Sequence, residues 1–164
     1  MAKQKDFDTF LRNIEPSKTT VQYVSSVQNS LRDYLRQHKT YSNVHKETFL
    51  SGSYAKHTSI RPTKEDNKRD VDIIVVTTHS QDDDSSKVLQ ELYDVLVASS
   101  TYRSATIQHH SVGIELSQLS IDVVPVIVDK DDDSLYWIAD SEDGTWTNSD
   151  PKGHKNWSTE TNQN

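Results

Sequence analysis

Apolar residues along this chain repeat at two spacings, and the changes between them mark the elements. Phe7, Phe10, Leu11 and Ile14 recur at helical spacing until Pro16 stops the run. Ser17 then offers a cap for a second helix. Its apolar face reads Val21, Val24, Val27, Leu31, Tyr34 and Leu35 and fades near His38 and Lys39. Residues 44–50 predict a short strand, Ser51-Gly52-Ser53 breaks it, and 54–58 begin a short helix. Arg61-Pro62 and the polar residues up to Arg69 predict a loop. Residues 70–78, DVDIIVVTT, are β-branched and nearly continuous, the strongest strand in the sequence.

Past an acidic loop, Val88, Leu89, Leu92, Val95 and Leu96 return to helical spacing. Residues 105–110 and 112–116 predict two strands of an antiparallel meander. Residues 119–128, LSIDVVPVIV, predict another long strand, in which Pro125 implies an edge or a bulge. Residues 135–139 and 145–147 flank Ser141-Glu142-Asp143-Gly144, a hairpin turn. Asp150-Pro151 opens a last helix carrying His154 and Trp157, because proline suits the first helical position. The order predicts one domain: residues 1–40 as helical scaffold, 44–128 as core, and 135–164 as a segment leading onward. No internal repeat or linker interrupts it, and the abrupt end predicts a following helical region that the chain lacks.

Composition narrows the class. The chain has 164 residues, about one domain, and 32% of them are hydrophobic, a low share that is nonetheless clustered and periodic. A folded domain with polar loops is expected, not disorder. Net charge is −7, which argues against a protein that coats nucleic acid. The acid is uneven: Asp82, Asp83, Asp84 and Asp131, Asp132, Asp133 read as solvated loops. Lys56, Arg61, Lys64, Lys68 and Arg69 make one stretch locally basic, where a small anion is tolerated. Absence of cysteine excludes disulfides, zinc-thiolate sites and cysteine nucleophiles. No apolar run approaches the roughly 20 residues that span a bilayer, and the N-terminus carries no apolar signal core. Cytoplasm is the default location, with no membrane partner and no strong nucleic-acid binding.

The chemistry concentrates in acids on strands. Asp70 and Asp72 stand two apart, so both side chains leave the same face, with Cα atoms about 6.6 Å apart. Carboxylates at that spacing can converge on two metal ions about 3.5–4 Å apart. Asp122 lies between Ile121 and Val123 in a second apolar strand, where a charge needs a partner. If the two strands are neighbours, the third carboxylate meets the first two. Oxygen-only ligands favour magnesium or manganese over zinc. Upstream, Gly52 permits close backbone approach to a phosphate and Ser53 adds a hydroxyl. A Gly-Ser pair alone marks ordinary turns. Its meaning here comes from position: strand, Gly-Ser, short helix, then D-x-D about twenty residues on.

FLSGSYAKHTSIRP, DVDIIVV and VGIELSQLSIDVVPVI together resemble the bacterial relatives of cyclic GMP-AMP synthase, the CD-NTase or SMODS nucleotidyltransferases. The resemblance covers roughly residues 49–128, and YWIADSEDGTWTNSDPKGHKNW looks like the group's lead into its second domain. It implies an α+β fold with a polymerase-β-like nucleotidyltransferase core, a mixed sheet flanked by helices, here without the helical domain that follows. Carried over by position, Gly52 and Ser53 bind the triphosphate of the donor nucleotide. Asp70 and Asp72 ligate both of two magnesium ions, and Asp122 ligates the one that activates the acceptor hydroxyl. The implied reaction joins nucleoside triphosphates into cyclic di- or trinucleotide second messengers with release of pyrophosphate, in bacterial anti-phage defence. Without the helical domain the chain is expected to bind Mg-nucleotide and to turn over poorly. A regulatory protein partner is left open.

Other residues read more plainly. His109 and His110, as strand neighbours, should point to opposite faces, which disfavours a metal site. Lys56 and His57 follow the glycine turn and stand as secondary candidates near the ligand, as does Arg61. Trp137, Trp146 and Trp157 are expected to pack the core or the missing domain. Two other functions share parts of the pattern. One is a minimal nucleotidyltransferase that places AMP on a protein or RNA. The other is a non-catalytic module that binds nucleotide or scaffolds a partner.

Overall fold

The computed structural model describes residues 4–6, 9, 15–55 and 68–149. Phe7, Phe10, Leu11 and Ile14 of the first expected helix lie outside these residues, as do Lys56, His57, Arg61, Lys64 and the C-terminal helix with His154 and Trp157. Helix α1 spans Lys18–Gln37, and Ser17 caps it by accepting the Thr20 N–H at 3.1 Å. Its buried residues are Val24, Leu31 and Leu35, while Val21 in the first turn stays 48% exposed, short of the face the periodicity assigned to it. A 3₁₀ turn, Tyr41–Asn43, leads into strand β1, His45–Leu50. A single helical turn, α2, follows at Gly52–Ala55.

Strand β2, Arg69–Thr77, runs antiparallel to β1 and parallel to β5, Leu119–Val128. The β2-to-β5 crossover carries helix α3, Ser85–Val97, as a parallel pair requires. Asp84 caps it by accepting the Ser86 N–H at 3.0 Å, and it buries Val88, Leu89, Leu92, Val95 and Leu96, the predicted face. Two short strands precede β5: β3 at Thr106–Ile107 and β4 at Val112–Glu115. Strands β6, Tyr136–Ala139, and β7, Trp146–Ser149, form the expected hairpin. The sheet runs β1-β2-β5-β4-β3, with β6 also on β5 and β7 beyond it.

Pro125 is not on an edge strand. β5 is central, with β2 along one side and two partners along the other. β4 pairs as far as Val123, and β6 begins pairing at Val126. Pro125 falls in the gap between them, where the ladder on that side needs no donor.

Alternation divides the sheet. Val71, Ile73 and Val75 of β2 and Leu119, Ile121 and Val123 of β5 join α1 and α3 in the main core. The intervening residues face the other way. There Ile74, Val76, Val126 and Tyr136 make a smaller cluster with Phe49, Val124, Val128 and Ile138 at its margin. Tyr34 of α1 donates to the Val95 carbonyl of α3 at 2.7 Å and ties the two helices together. The acidic runs shape turns. Asp83 accepts the Ser80 N–H at 2.7 Å, and Asp132 accepts the Ser134 N–H at 2.8 Å. Trp146 packs against the main core, and Trp137 donates to Asp129 at 2.6 Å.

Candidate active site

The parallel register sets Asp72 directly beside Asp122, and Asp70 beside Ser120. Neighbouring strands lie about 4.8 Å apart, and paired residues share a face. Three acids from two strands therefore meet on the face that α1 and α3 leave open. Beyond the acids and Ser120 that face turns apolar, with Ile74 and Val76 on β2 and Val124 and Val126 on β5. Asp70 is exposed, while Asp72 and Asp122 are half-buried.

The cluster is electrostatically uncomfortable. Partial burial pushes the Asp122 carboxyl above its usual range, and Asp72 and then Asp70 push it further. A hydrogen bond from the Gln108 side chain works in the opposite direction, and Glu115 adds to the repulsion. Glu115 is itself engaged by Lys68 and Ser120, which hold its carboxyl below the usual range.

Gly52 completes the corner. Its φ of +62° lies in the left-handed region, which glycine enters freely. A Cβ added there would overlap Asp72 Oδ2 and sit 2.9 Å from Asp72 Cγ. The Ser51 N–H also donates to the Asp72 carbonyl at 2.9 Å. The turn after β1 is thus pinned to the second acid of the D-x-D, with Ser53 exposed next to it. All five residues singled out for the site, Asp70, Asp72, Asp122, Gly52 and Ser53, fall in one corner of the molecule.

The donor set suits a hard divalent cation. It is all oxygen, and its acids repel one another unless positive charge intervenes. Magnesium or manganese fits that chemistry.

The histidine pair corrects the sequence reading. The expected strand at 105–110 shortens to Thr106–Ile107, so His109 and His110 lie in the turn before β4. Their rings stack, 3.9 Å between centroids, rather than facing apart. His109 Nε2 lies 3.0 Å from Asp140 Oδ2, and His110 Nδ1 donates to the Ala139 carbonyl at 3.0 Å. The Asp143 and Glu142 N–H groups hold the Asp140 carboxyl below its usual range, helped by the two histidines. These contacts clamp the β3–β4 turn onto the end of β6. The ligand atoms of His109, His110 and Asp140 lie within 4.8 Å of one another, a spacing that could hold a metal ion and that the expectation of opposed rings disfavoured.

A mixed sheet with this strand order, carrying acids on its central parallel pair, is the core of the polymerase-β-like nucleotidyltransferases. Within that class the chain belongs to the SMODS family, the second messenger oligonucleotide or dinucleotide synthetase domain, whose model matches residues 1–162. It is 40% identical, over its whole length, to a cyclic AMP-AMP-AMP synthase from an Acinetobacter strain, of which it covers 48%. Among solved structures it is similar to the Bradyrhizobium diazoefficiens CD-NTase CdnG, solved with GTP. That match has TM-score 0.77 at 13% identity and covers 88% of this chain and 43% of that one. It is also similar to CdnC of E. coli MS115-1, solved with ATP, at TM-score 0.69 and 25% identity, covering 97% and 51%. The chain thus spans about half the length of these relatives.

Proposed function

We propose that the chain is the nucleotide-binding and metal-binding part of a cyclic oligonucleotide synthase, with Asp70, Asp72 and Asp122 as ligands for two magnesium ions. The observation that carries the reading is the in-register pairing of Asp72 with Asp122, with Gly52 seated on Asp72. Bound there, the ions supply charge neutralisation of a triphosphate and a lowered pKa for the attacking ribose hydroxyl. The chain's own residues do the arranging. Gly52 in its left-handed turn brings the backbone against Asp72 and, with Ser53, is the group that binds the triphosphate in this reading. The strand pair fixes the backbone positions of the acids, with Asp72 beside Asp122, before ligand arrives. The neighbouring apolar face excludes water from one side of the site.

The substrates are nucleoside triphosphates, and the product is a cyclic di- or trinucleotide with pyrophosphate released. The name of the Acinetobacter relative makes ATP the first substrate to try and a cyclic tri-adenylate the first product to seek. Ring closure is proposed for the longer protein, and Mg-nucleotide binding for this chain, with residues 135–164 leading toward a helical domain. Among the described residues no helix is long and apolar enough to cross a membrane. Cytoplasmic work in anti-phage signalling is part of the proposal. Mass spectrometry of products from ATP and Mg²⁺ tests the reaction. A cyclic oligonucleotide is expected, whereas AMP attached to protein or RNA would replace this reading with the minimal-transferase one. Thermal stabilisation of this chain by Mg²⁺ and a non-hydrolysable ATP analogue tests the site. Its absence, or its persistence when Asp70 and Asp72 are both asparagine, would sink the metal assignment.

A further inference from the structure

Gln108 is a turn residue between β3 and β4, and no strand or helix pattern calls attention to it. Its backbone N–H donates to the Ser111 carbonyl at 2.9 Å, which closes the turn. The Ser111 hydroxyl donates back to Gln108 Oε1 at 2.8 Å. With Oε1 accepting from Ser111, Nε2 is the end turned toward Asp122, and a carboxylate can only accept from it. Nε2 lies over Gly113, which the β4–β5 register sets opposite Asp122, so the Gln108 amide reaches toward the Asp122 carboxyl. A Cβ on Gly113 would overlap Nε2 and sit 3.1 Å from Gln108 Cδ. Gly113 has no unusual φ. It is glycine for space.

We propose that Gln108 is a positioning residue for Asp122, reaching it through a slot that Gly113 leaves open and held in the correct amide orientation by Ser111. This inference builds on the reading of Asp122 as a metal ligand and adds the group that orients it. A carboxylate on an open sheet face has free rotation about its χ2. One charge-assisted donor aligns it and leaves its other lone pairs for a cation. The turn carrying Gln108 is in turn held by the His109 and His110 contacts to the end of β6.

Manganese binding, followed by electron paramagnetic resonance on the whole chain, reads the effect without catalysis. Gln108→Ala should weaken Mn²⁺ binding about tenfold, with an unchanged thermal unfolding midpoint, because Gln108 is exposed. Gly113→Ala keeps the glutamine but closes its slot, and should give a similar loss. Ser111→Ala leaves the donor free to flip and should cost about threefold. In the longer protein, Gln108→Ala should raise the Mg²⁺ concentration for half-maximal rate more than it lowers the rate at saturating Mg²⁺. Wild-type Mn²⁺ affinity in both Gln108→Ala and Gly113→Ala would overturn the proposal. No Mn²⁺ binding by the parent chain would instead overturn the metal reading beneath it.

Discussion

The two faces of the central strand pair hold nearly opposite chemistry. On the face under α1 and α3, Val71, Ile73, Val75, Leu119, Ile121 and Val123 are each at most 2% exposed. On the other, Asp70, Asp72 and Asp122 stand at one end and Ile74, Val76 and Val126 at the other. The residues alternate one by one, so the same strands serve stability on one side and a charged site on the other. Burial is what makes the first face strong. On the second, partial burial is what makes an acid cluster costly and therefore reactive toward cations.

Four experiments test that division, beginning with the largest expected effect. Replacing both Asp70 and Asp72 with asparagine should lower nucleotidyl transfer by the longer protein on the order of a thousandfold, the rate equivalent of several kcal/mol of lost charge stabilisation. Circular dichroism should show the fold intact. A variant that keeps activity would remove the open face from the chemistry. Ile73→Ala acts on the covered face and should cost about 2–4 kcal/mol in denaturant unfolding, through lost burial and a residual cavity. Mg-nucleotide affinity of the fraction that stays folded should be unchanged.

Gly52→Ala touches both faces' interests. The left-handed φ costs about 1 kcal/mol for alanine, and the methyl must also displace the Asp72 carboxylate. Calorimetry should find weaker Mg-nucleotide binding together with a modest stability loss. The smallest effect has the reverse sign. Asp122→Asn should stabilise the metal-free chain by about 0.5–2 kcal/mol while abolishing the cation response.

The pH dependence sharpens the same point. Asp122 holds its proton to higher pH folded than unfolded, so its contribution to stability is present at low pH. That contribution is lost as pH rises from the ordinary carboxylate range through its raised value. Saturating Mg²⁺ should flatten that slope, and Mg²⁺ affinity should fall as pH drops through the same window. An Asp122→Asn chain that shows the same slope would assign it elsewhere.

Much of this was readable from the sequence because strand and helix periods are local. DVDIIVV announces both its strand and its paired acids, and residues 119–128 match β5 residue for residue. The family resemblance supplied what periodicity could not, that β2 and β5 are neighbours. Contacts across the sheet stayed hidden. Gln108 meets Asp122 only because the hairpin folds Gly113 against β5. The stacked histidine rings meet Ala139 and Asp140, some thirty residues on, contacts that no local pattern announces. Pro125 misled for the same reason. A proline tolerated between two successive partners looks, in one dimension, like a proline on an edge.

The one-by-one alternation of β2 has a genetic corollary. A single codon gained or lost between Arg69 and Val76 would turn the remaining side chains over, driving aspartate beneath the helices and isoleucine into the open. Substitutions here can be graded, but length changes cannot. Natural variation in this strand should therefore consist of swaps, with insertions and deletions confined to the connections at its ends.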